Sequence, residues 1–89
     1  MSEFKCLINL GVIHETKEME FLRRRHLPFV PQSGMSLQLL GMDFESKIVH
    51  VGYVESEDSK PWFDVSLTVQ NLNQHQIDRL TENGWRRSS

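Results

Sequence analysis

The sequence contains little of what several protein classes require. Cys6 is the only cysteine among the 89 residues, so an internal disulfide and a two-cysteine redox motif are both excluded. No apolar run approaches the roughly 20 residues of a membrane-spanning helix. The first ten residues include the acidic Glu3 and no long apolar stretch, which is unlike a signal peptide. These absences predict a cytoplasmic protein that does not associate with membranes.

An excess of charge of one sign is also lacking. Ten lysines and arginines face twelve aspartates and glutamates, which gives a formal net charge of −2. Strong non-specific binding to nucleic acid depends on a cationic surplus, so the net charge disfavours that partner. The length and the 38% of hydrophobic residues predict one small domain, 1–89, with a modest core. Dimerisation would add stability to such a small core, so we expect a homodimer.

Motifs for metal binding and catalysis are missing as well. There is no Cys-x-x-Cys or His-x-x-x-His pair, no phosphate-binding glycine loop and no dinucleotide fingerprint. Cys6 falls on the apolar face of a predicted strand and is interpreted as a buried small hydrophobe. His50 and Asp64 are the one acid–base pair that adjacent strands would bring together. We therefore expect no metal site, no cofactor and no catalytic residue.

Alternation of apolar and polar residues is the main pattern that is present. It predicts strands over residues 4–13, 47–55 and 62–70, the last with apolar residues at every second position from Phe63 to Val69. A short apolar run predicts a further strand within 35–42. Glycines inside these patterns favour strong curvature of the sheet.

Residues 18–27 fit either a helix or a strand. As a helix, the segment would be capped by Thr16, with Glu20 and Arg24 spaced for an i,i+4 ion pair. As a strand, it would point Arg23 and Arg25 to one side and Arg24 to the other. Two prolines shortly downstream favour extended backbone and hence the strand. The strand interpretation predicts a long hairpin that spans residues 4–30.

A helix is predicted near the C-terminus. Asn73 is a candidate N-cap with Gln76 at the capping-box position, and Gly84 followed by Trp85 is typical of a helix C-terminus. Residues 86–89 are expected to be a frayed tail. The whole pattern predicts an α+β, mainly β protein: a curved antiparallel meander or small open barrel of four to five strands with one C-terminal helix.

The candidate partner-binding residues are an aromatic residue and two arginine clusters. Trp62 shares the polar face of its strand with Asp64, and exposed aromatic residues often anchor interfaces. The segment 43–64 carries six carboxylates against two lysines, so the sequence neighbours of Trp62 oppose a phosphate backbone. The remaining candidates are the arginines Arg23, Arg24, Arg25, Arg86 and Arg87.

Two classes of function compete for these residues. The leading hypothesis is a non-enzymatic protein–protein interaction or accessory module, with self-association as one form of it. The alternative is a small nucleic-acid-binding domain that uses Arg23–Arg25 and Arg86–Arg87. An enzyme of an unfamiliar type is a weaker third hypothesis. In the non-functional interpretation, these charged residues only protect a strand edge and keep the surface solvated.

Overall fold

A computed structural model describes residues 3–88, with Ser59 described by its backbone only. Within residues 3–88 the chain forms six strands and one helix. The strands are long except for two that have two residues each. In chain order the elements are β1 (Phe4–His14), β2 (Lys17–Leu27), β3 (Ser36–Leu37), β4 (Ser46–Ser56), β5 (Ser59–Gln70), α1 (Gln74–Glu82) and β6 (Arg86–Arg87).

The strands form a single curled, open sheet in the order β3-β4-β5-β1-β2-β6. Strands make up 56% of the chain and the one helix lies near the C-terminus, which confirms the predicted mainly β class. Two details of the prediction were wrong. The sheet has six strands, and β5 pairs parallel to β1, so the topology is not a simple antiparallel meander. Pairing Val65 with Ile8 and Leu67 with Leu10 joins the apolar positions of β1 and β5 in one buried face.

Residues 17–27 form a strand, which confirms the predicted hairpin. β2 pairs antiparallel with β1 over its whole length, from His14 opposite Lys17 to Phe4 opposite Leu27. Its buried residues are Met19, Phe21 and Leu27, at period two. This alternation lets β2 extend the buried face of β1, which an amphipathic helix could not do.

The hydrophobic core lies between one face of the sheet and the layer made by α1 and the segment 35–44. Ile77 and Leu80 of α1 are buried there, and Leu37 and Met42 come from the segment before β4. The sheet contributes Cys6, Ile8, Leu10, Val12, Met19, Phe21, Leu27, Ile48, Val65 and Leu67. Only one face of the sheet is therefore used to build the core.

The predicted third strand is much shorter than residues 35–42. The ladder with β4 covers only Ser36 and Leu37, and Gly34 and Met35 just before it exchange backbone hydrogen bonds with Ile48 at 2.8 Å. The chain then turns, since Gly41 has φ +94° and the backbone N–H of Met42 donates to the carbonyl of Leu39. The Trp85 indole N–H donates to the Leu40 carbonyl at 3.0 Å, so this turn is bonded to the chain after the helix rather than to a strand.

Both ends of the helix follow the predicted signals. The Asn73 side chain accepts from the Gln76 backbone N–H at 2.8 Å, and the Gln76 side chain accepts from the Asn73 backbone N–H at 3.0 Å. Gly84 follows the helix with φ +93°, which glycine adopts without strain. In the described residues α1 is too short and too polar to cross a membrane.

The prediction of a frayed tail over residues 86–89 was wrong for its described part. Arg86 and Arg87 form β6 and pair with Leu22 and Phe21. The Ser88 backbone N–H donates to the Glu20 carbonyl at 2.9 Å. The turn at Gly84 directs the chain back along the free edge of β2, which offers backbone partners that sequence patterns do not reveal. Ser89 lies outside the described residues.

Candidate functional site

The face of the sheet opposite the core is the candidate site, and we call it the outer face. Strand alternation alone places its residues, because the odd positions of β1 and the even positions of β2 and β5 point away from the helix. All of these residues are half-buried or exposed. They are Lys5, Leu7, Asn9, Gly11 and Ile13 on β1, Glu18, Glu20, Leu22, Arg24 and His26 on β2, and Trp62, Asp64, Ser66, Thr68 and Gln70 on β5.

Trp62 lies on the outer face in a basic setting. The Nζ of Lys5 is 6.0 Å from the centre of the Trp62 ring. Lys5, Leu7, Arg24 and Trp62 line one open depression of about 280 Å³. The sequence neighbours of Trp62 are acidic, but its neighbours across the sheet are cations. The expectation of acidic surroundings holds for Asp64, which shares the outer face with Trp62, but the pairing of β5 with β1 adds the cations Lys5 and Arg24, which the sequence neighbours did not indicate.

The sheet divides the candidate arginines between its two sides. Arg24 lies on the outer face, and Arg86 shares that face because it pairs with Leu22. Arg23 and Arg25 point to the helix side, as the strand interpretation predicts. Arg87 pairs with Phe21 and so also belongs to the helix side. The five arginines therefore do not form one basic patch.

Arg23 connects β2 to the end of the helix. Its guanidinium donates to the backbone carbonyl of Asn83, contacts the chain at Gly84, and lies 6.0 Å from the centre of the Trp85 ring. Partial burial, together with the nearby charge of Arg25, lowers the pKa of Arg23. These contacts assign Arg23 to the packing of the helix against the sheet.

The outer face of the β1–β2 ladder is electrically polarised along the strands. Lys5 pairs with His26 at one end, and Arg24 lies in the next row. At the other end Glu20 and Glu18 occupy the corresponding positions of β2. The basic and acidic groups are thus separated along the strand direction rather than mixed.

His50 and Asp64 lie near one another on adjacent strands, as the weaker enzyme hypothesis requires. Asp64 is opposite Gly52 and His50 is opposite Ser66 in the β4–β5 register. The Nε2 atom of His50 is 3.5 Å from where a Cβ on Gly52 would lie, so its ring leans over that glycine. Both residues belong to the open outer face, where water has access to them.

The other candidate reactive groups have packing roles. Cys6 is buried at 1% exposure, burial raises the pKa of its thiol, and its Sγ lies 3.4 Å from the Phe4 carbonyl. A raised pKa lowers the fraction of reactive thiolate. The Nδ1 atom of His14 is bonded to the Leu72 carbonyl at 2.6 Å, so this ring ties β1 to the start of the helix. Across residues 3–88, no three His, Cys, Asp or Glu side chains form a group that could hold a metal ion.

Sequence reasoning did not select three residues that define this face. Lys5, Leu7 and Leu22 surround Trp62 and Arg24 but were not candidates. A signal for the first two was present, because the second face of β1 mixes apolar and polar residues, unlike an ordinary solvated face. Their grouping with Trp62 depends on the β1–β5 pairing.

Comparison with family models, curated proteins and solved structures found no significant match in any of the three searches. The function is therefore argued from the geometry of the chain itself.

Proposed function

We propose that this protein is a non-enzymatic protein–protein interaction module that binds its partner through the outer face. The observation that carries the proposal is the combination of half-buried apolar groups with cations in one depression. Trp62 and Leu7 supply the apolar surface, and Lys5 and Arg24 border it. Large aromatic residues beside arginine are the residue types that dominate binding energy at protein interfaces.

The charge of the outer face favours a protein partner over a nucleic acid. By strand register, the cations Lys5, Arg24 and Arg86 share this face with the carboxylates of Glu18, Glu20 and Asp64. A phosphate backbone would meet those carboxylates as soon as it extended past the basic end. A folded protein surface can match both signs, which gives specificity and orientation. The proposal includes a cytoplasmic setting, which the buried reduced thiol of Cys6 suits.

Affinity capture with matched variants tests this function. The full chain, tagged and incubated with host lysate, is compared with Trp62→Ala and Leu7→Asp on the outer face. Leu40→Asp is the matched control, because Leu40 is 61% exposed and lies outside that face. We expect at least one protein to be retained by the wild type and the control and to be depleted about tenfold by both outer-face variants. Equal retention by all four baits would refute the proposal.

Nucleic-acid binding is the second candidate, and one observation favours it. Lys5 lies beside the Trp62 ring and Arg24 lines the same depression, a combination that suits stacking of a base beside a phosphate. Titration with short single-stranded DNA and RNA at low and moderate salt separates the candidates. Micromolar binding with a steep salt dependence, lost in Trp62→Ala and Arg24→Glu, would favour this function. Absence of binding at low salt would eliminate it.

A further inference from the structure

The outer-face charges carried by β1 and β2 are ordered so that they match their own reversed copy, while Asp64 on β5 and Arg86 on β6 lie beside this ladder on the same face. Along the β1–β2 ladder, basic residues occupy the first two rows, uncharged residues the third, and carboxylates the last two. In order, the paired rows are Lys5–His26, Leu7–Arg24, Asn9–Leu22, Gly11–Glu20 and Ile13–Glu18.

A two-fold axis through the central row brings two copies together with these charges paired. The axis lies between the two sheets and runs perpendicular to the strands, so the second copy faces the first with its strands reversed. Arg24 then lies over Glu20 of the second copy, and His26 lies over Glu18 of that copy. The symmetry creates each contact twice. Stacking β2 on β2 with the strands in the same direction would instead oppose like charges, which is destabilising.

A two-fold axis along β1 would place Arg24 over Asp64 instead of Glu20, so the charge reversal of Arg24 and Glu20 distinguishes the two arrangements. In the reversed arrangement Arg86, which shares the central row with Leu22, lies beside its own copy, and this one like-charge contact opposes the paired charges.

The shape of the apolar surface on this face fits the same arrangement. Under this axis Leu7 lies over Gly11 of the second copy. A Cβ added at Gly11 would lie 3.7 Å from the Leu67 carbonyl oxygen and 3.8 Å from Cγ2 of Thr68, which are ordinary van der Waals distances, so the missing side chain leaves a shallow gap there. Gly11, Ile13, Glu18 and other neighbours line a depression of about 470 Å³ at this end. The half-buried Leu7 of one copy thus faces Gly11 and the depression beside it on the other.

The available area indicates a weak dimer. Taken as flat, three strands spaced about 4.8 Å apart and about 33 Å long present at most roughly 500 Å² per copy, and the curl of the sheet reduces the area that two faces can share. This value is below the roughly 800 Å² per partner of a standard stable interface, and it is typical of transient contacts. We therefore expect a dissociation constant in the tens of micromolar, with exchange between monomer and dimer.

We infer that the outer face binds a second copy of this chain, two-fold and with strands reversed, so that the basic end of each copy lies on the acidic end of the other. This inference rests on the proposed function and names its partner. It identifies Arg24 and Glu20 as the pair that sets the orientation.

Sedimentation equilibrium of the full chain from about 1 µM to 1 mM tests the association. The wild type is expected to shift from monomer to dimer over this range, with a dissociation constant that rises with salt because exposed charges are screened. A wild type that is monomeric at every concentration overturns the inference.

Charge reversal tests the orientation. Arg24→Glu and Glu20→Arg each replace two attractive contacts with two repulsive ones, so each variant should weaken the dimer about tenfold or more. The double variant restores opposite charges and should dimerise within about threefold of the wild type. Glu20 also accepts a hydrogen bond from Ser88, so Ser88→Ala controls for that loss. Failure of the double variant to recover overturns the reversed arrangement.

A control on the sheet edge separates this dimer from strand-to-strand pairing. Val49 on β4 is 54% exposed, near the part of that strand that β3 leaves free. Val49→Asp should not change association through the outer face. If Val49→Asp abolishes the dimer while the charge variants do not, an edge dimer replaces the one inferred here. If the wild type is monomeric but lysate capture still depends on Trp62 and Leu7, the inferred dimer is refuted and the proposed function stands. If the wild type is monomeric and capture is independent of Trp62 and Leu7, the proposed function is refuted as well.

Discussion

At the residue scale, Arg23 shows that an exposed-looking charge in the sequence can hold two elements together. Its guanidinium bonds the Asn83 carbonyl at the end of the helix and lies near the Trp85 ring. A hydrogen bond from a charged donor is stronger than a neutral one, and a cation beside an indole adds a further attraction. Arg24, one residue later, lies on the other side of the sheet and has no such role in the core.

Replacing Arg23 should therefore destabilise the protein. We expect Arg23→Ala to lower the free energy of unfolding by about 1–2 kcal/mol. This value is smaller than the full energy of a hydrogen bond from a charged donor, because the side chain is partly exposed to solvent. The measurement is urea denaturation followed by circular dichroism at low protein concentration. Arg79→Ala, an exposed helical arginine, is the matched control and should change stability by less than about 0.5 kcal/mol. Equal effects of the two changes would contradict the role assigned to Arg23.

Gly41 is a second residue whose importance is set by its surroundings. It has φ +94°, and a Cβ there would lie 2.7 Å from the Cβ of Asn83 and 3.3 Å from Cδ1 of Trp85. Gly34 has a similar φ of +91° but nothing within 4 Å of the same point. The two glycines thus separate backbone strain from steric conflict.

Alanine substitution should have a larger effect at Gly41 than at Gly34. A residue with a Cβ in the left-handed backbone conformation costs about 1–2 kcal/mol, so both Gly34→Ala and Gly41→Ala should lower the free energy of unfolding by that amount. Gly41→Ala should lose about 1–3 kcal/mol more, because the turn has to move away from the helix end. Thermal unfolding of the two variants measures the difference. A loss no greater at Gly41 would show that the turn adapts freely.

At the element scale, the helix depends on its first turn. Asn73 and Gln76 form reciprocal hydrogen bonds, and the Gln76 side chain also donates to Asp43 at 3.0 Å. This cap satisfies backbone N–H groups that have no partner within the helix. It also bonds the helix to the segment before β4.

Removing the cap should weaken the protein measurably. We expect Asn73→Ala to reduce the free energy of unfolding by about 1 kcal/mol. His75→Ala, at an exposed position in the same turn, is the control and should be neutral within about 0.5 kcal/mol. Urea denaturation monitored at 222 nm compares them. Should the two variants be equally stable, the hydrogen bonds of the cap contribute nothing net.

β2 illustrates what can be predicted about an element and what cannot. The alternating pattern of residues 18–27 and the prolines that follow this segment were sufficient to favour a strand. The strand places Arg24 on one face of the sheet and Arg23 and Arg25 on the other. The pairing of β6 with β2 could not be predicted, since two arginines carry no strand pattern. That pairing comes from the turn at Gly84, and it places Arg86 on the outer face.

At the scale of the whole molecule, the two faces of the sheet have different roles. Leu10 is fully buried between Phe21 and Leu67 on the neighbouring strands. Leu7 is on the same strand but belongs to the outer face and is only half-buried. The buried core is therefore concentrated on one side of the sheet, and the outer face carries half-buried and exposed residues.

Matched leucine truncations test this division. Leu10→Ala should cost about 2–5 kcal/mol, because it removes buried methyl groups and leaves a cavity. Leu7→Ala should cost less than about 1 kcal/mol in a monomeric sample, while it weakens association. Chemical denaturation gives the first quantity and sedimentation gives the second. Similar destabilisation by both changes would show that the outer face belongs to the core.

The four long strands, the helix and its caps could be predicted from local pattern, because alternation, turn residues and capping motifs act over a few positions. The candidate site could be predicted only in part: Trp62 and Arg24 were candidates, whereas Lys5 and Leu7 were not. Long-range pairing determines those neighbours, since the parallel contact of β5 with β1 brings Trp62 beside residues more than fifty positions away. The register of strands distant in the chain depends on how the whole core closes, and no short segment encodes it.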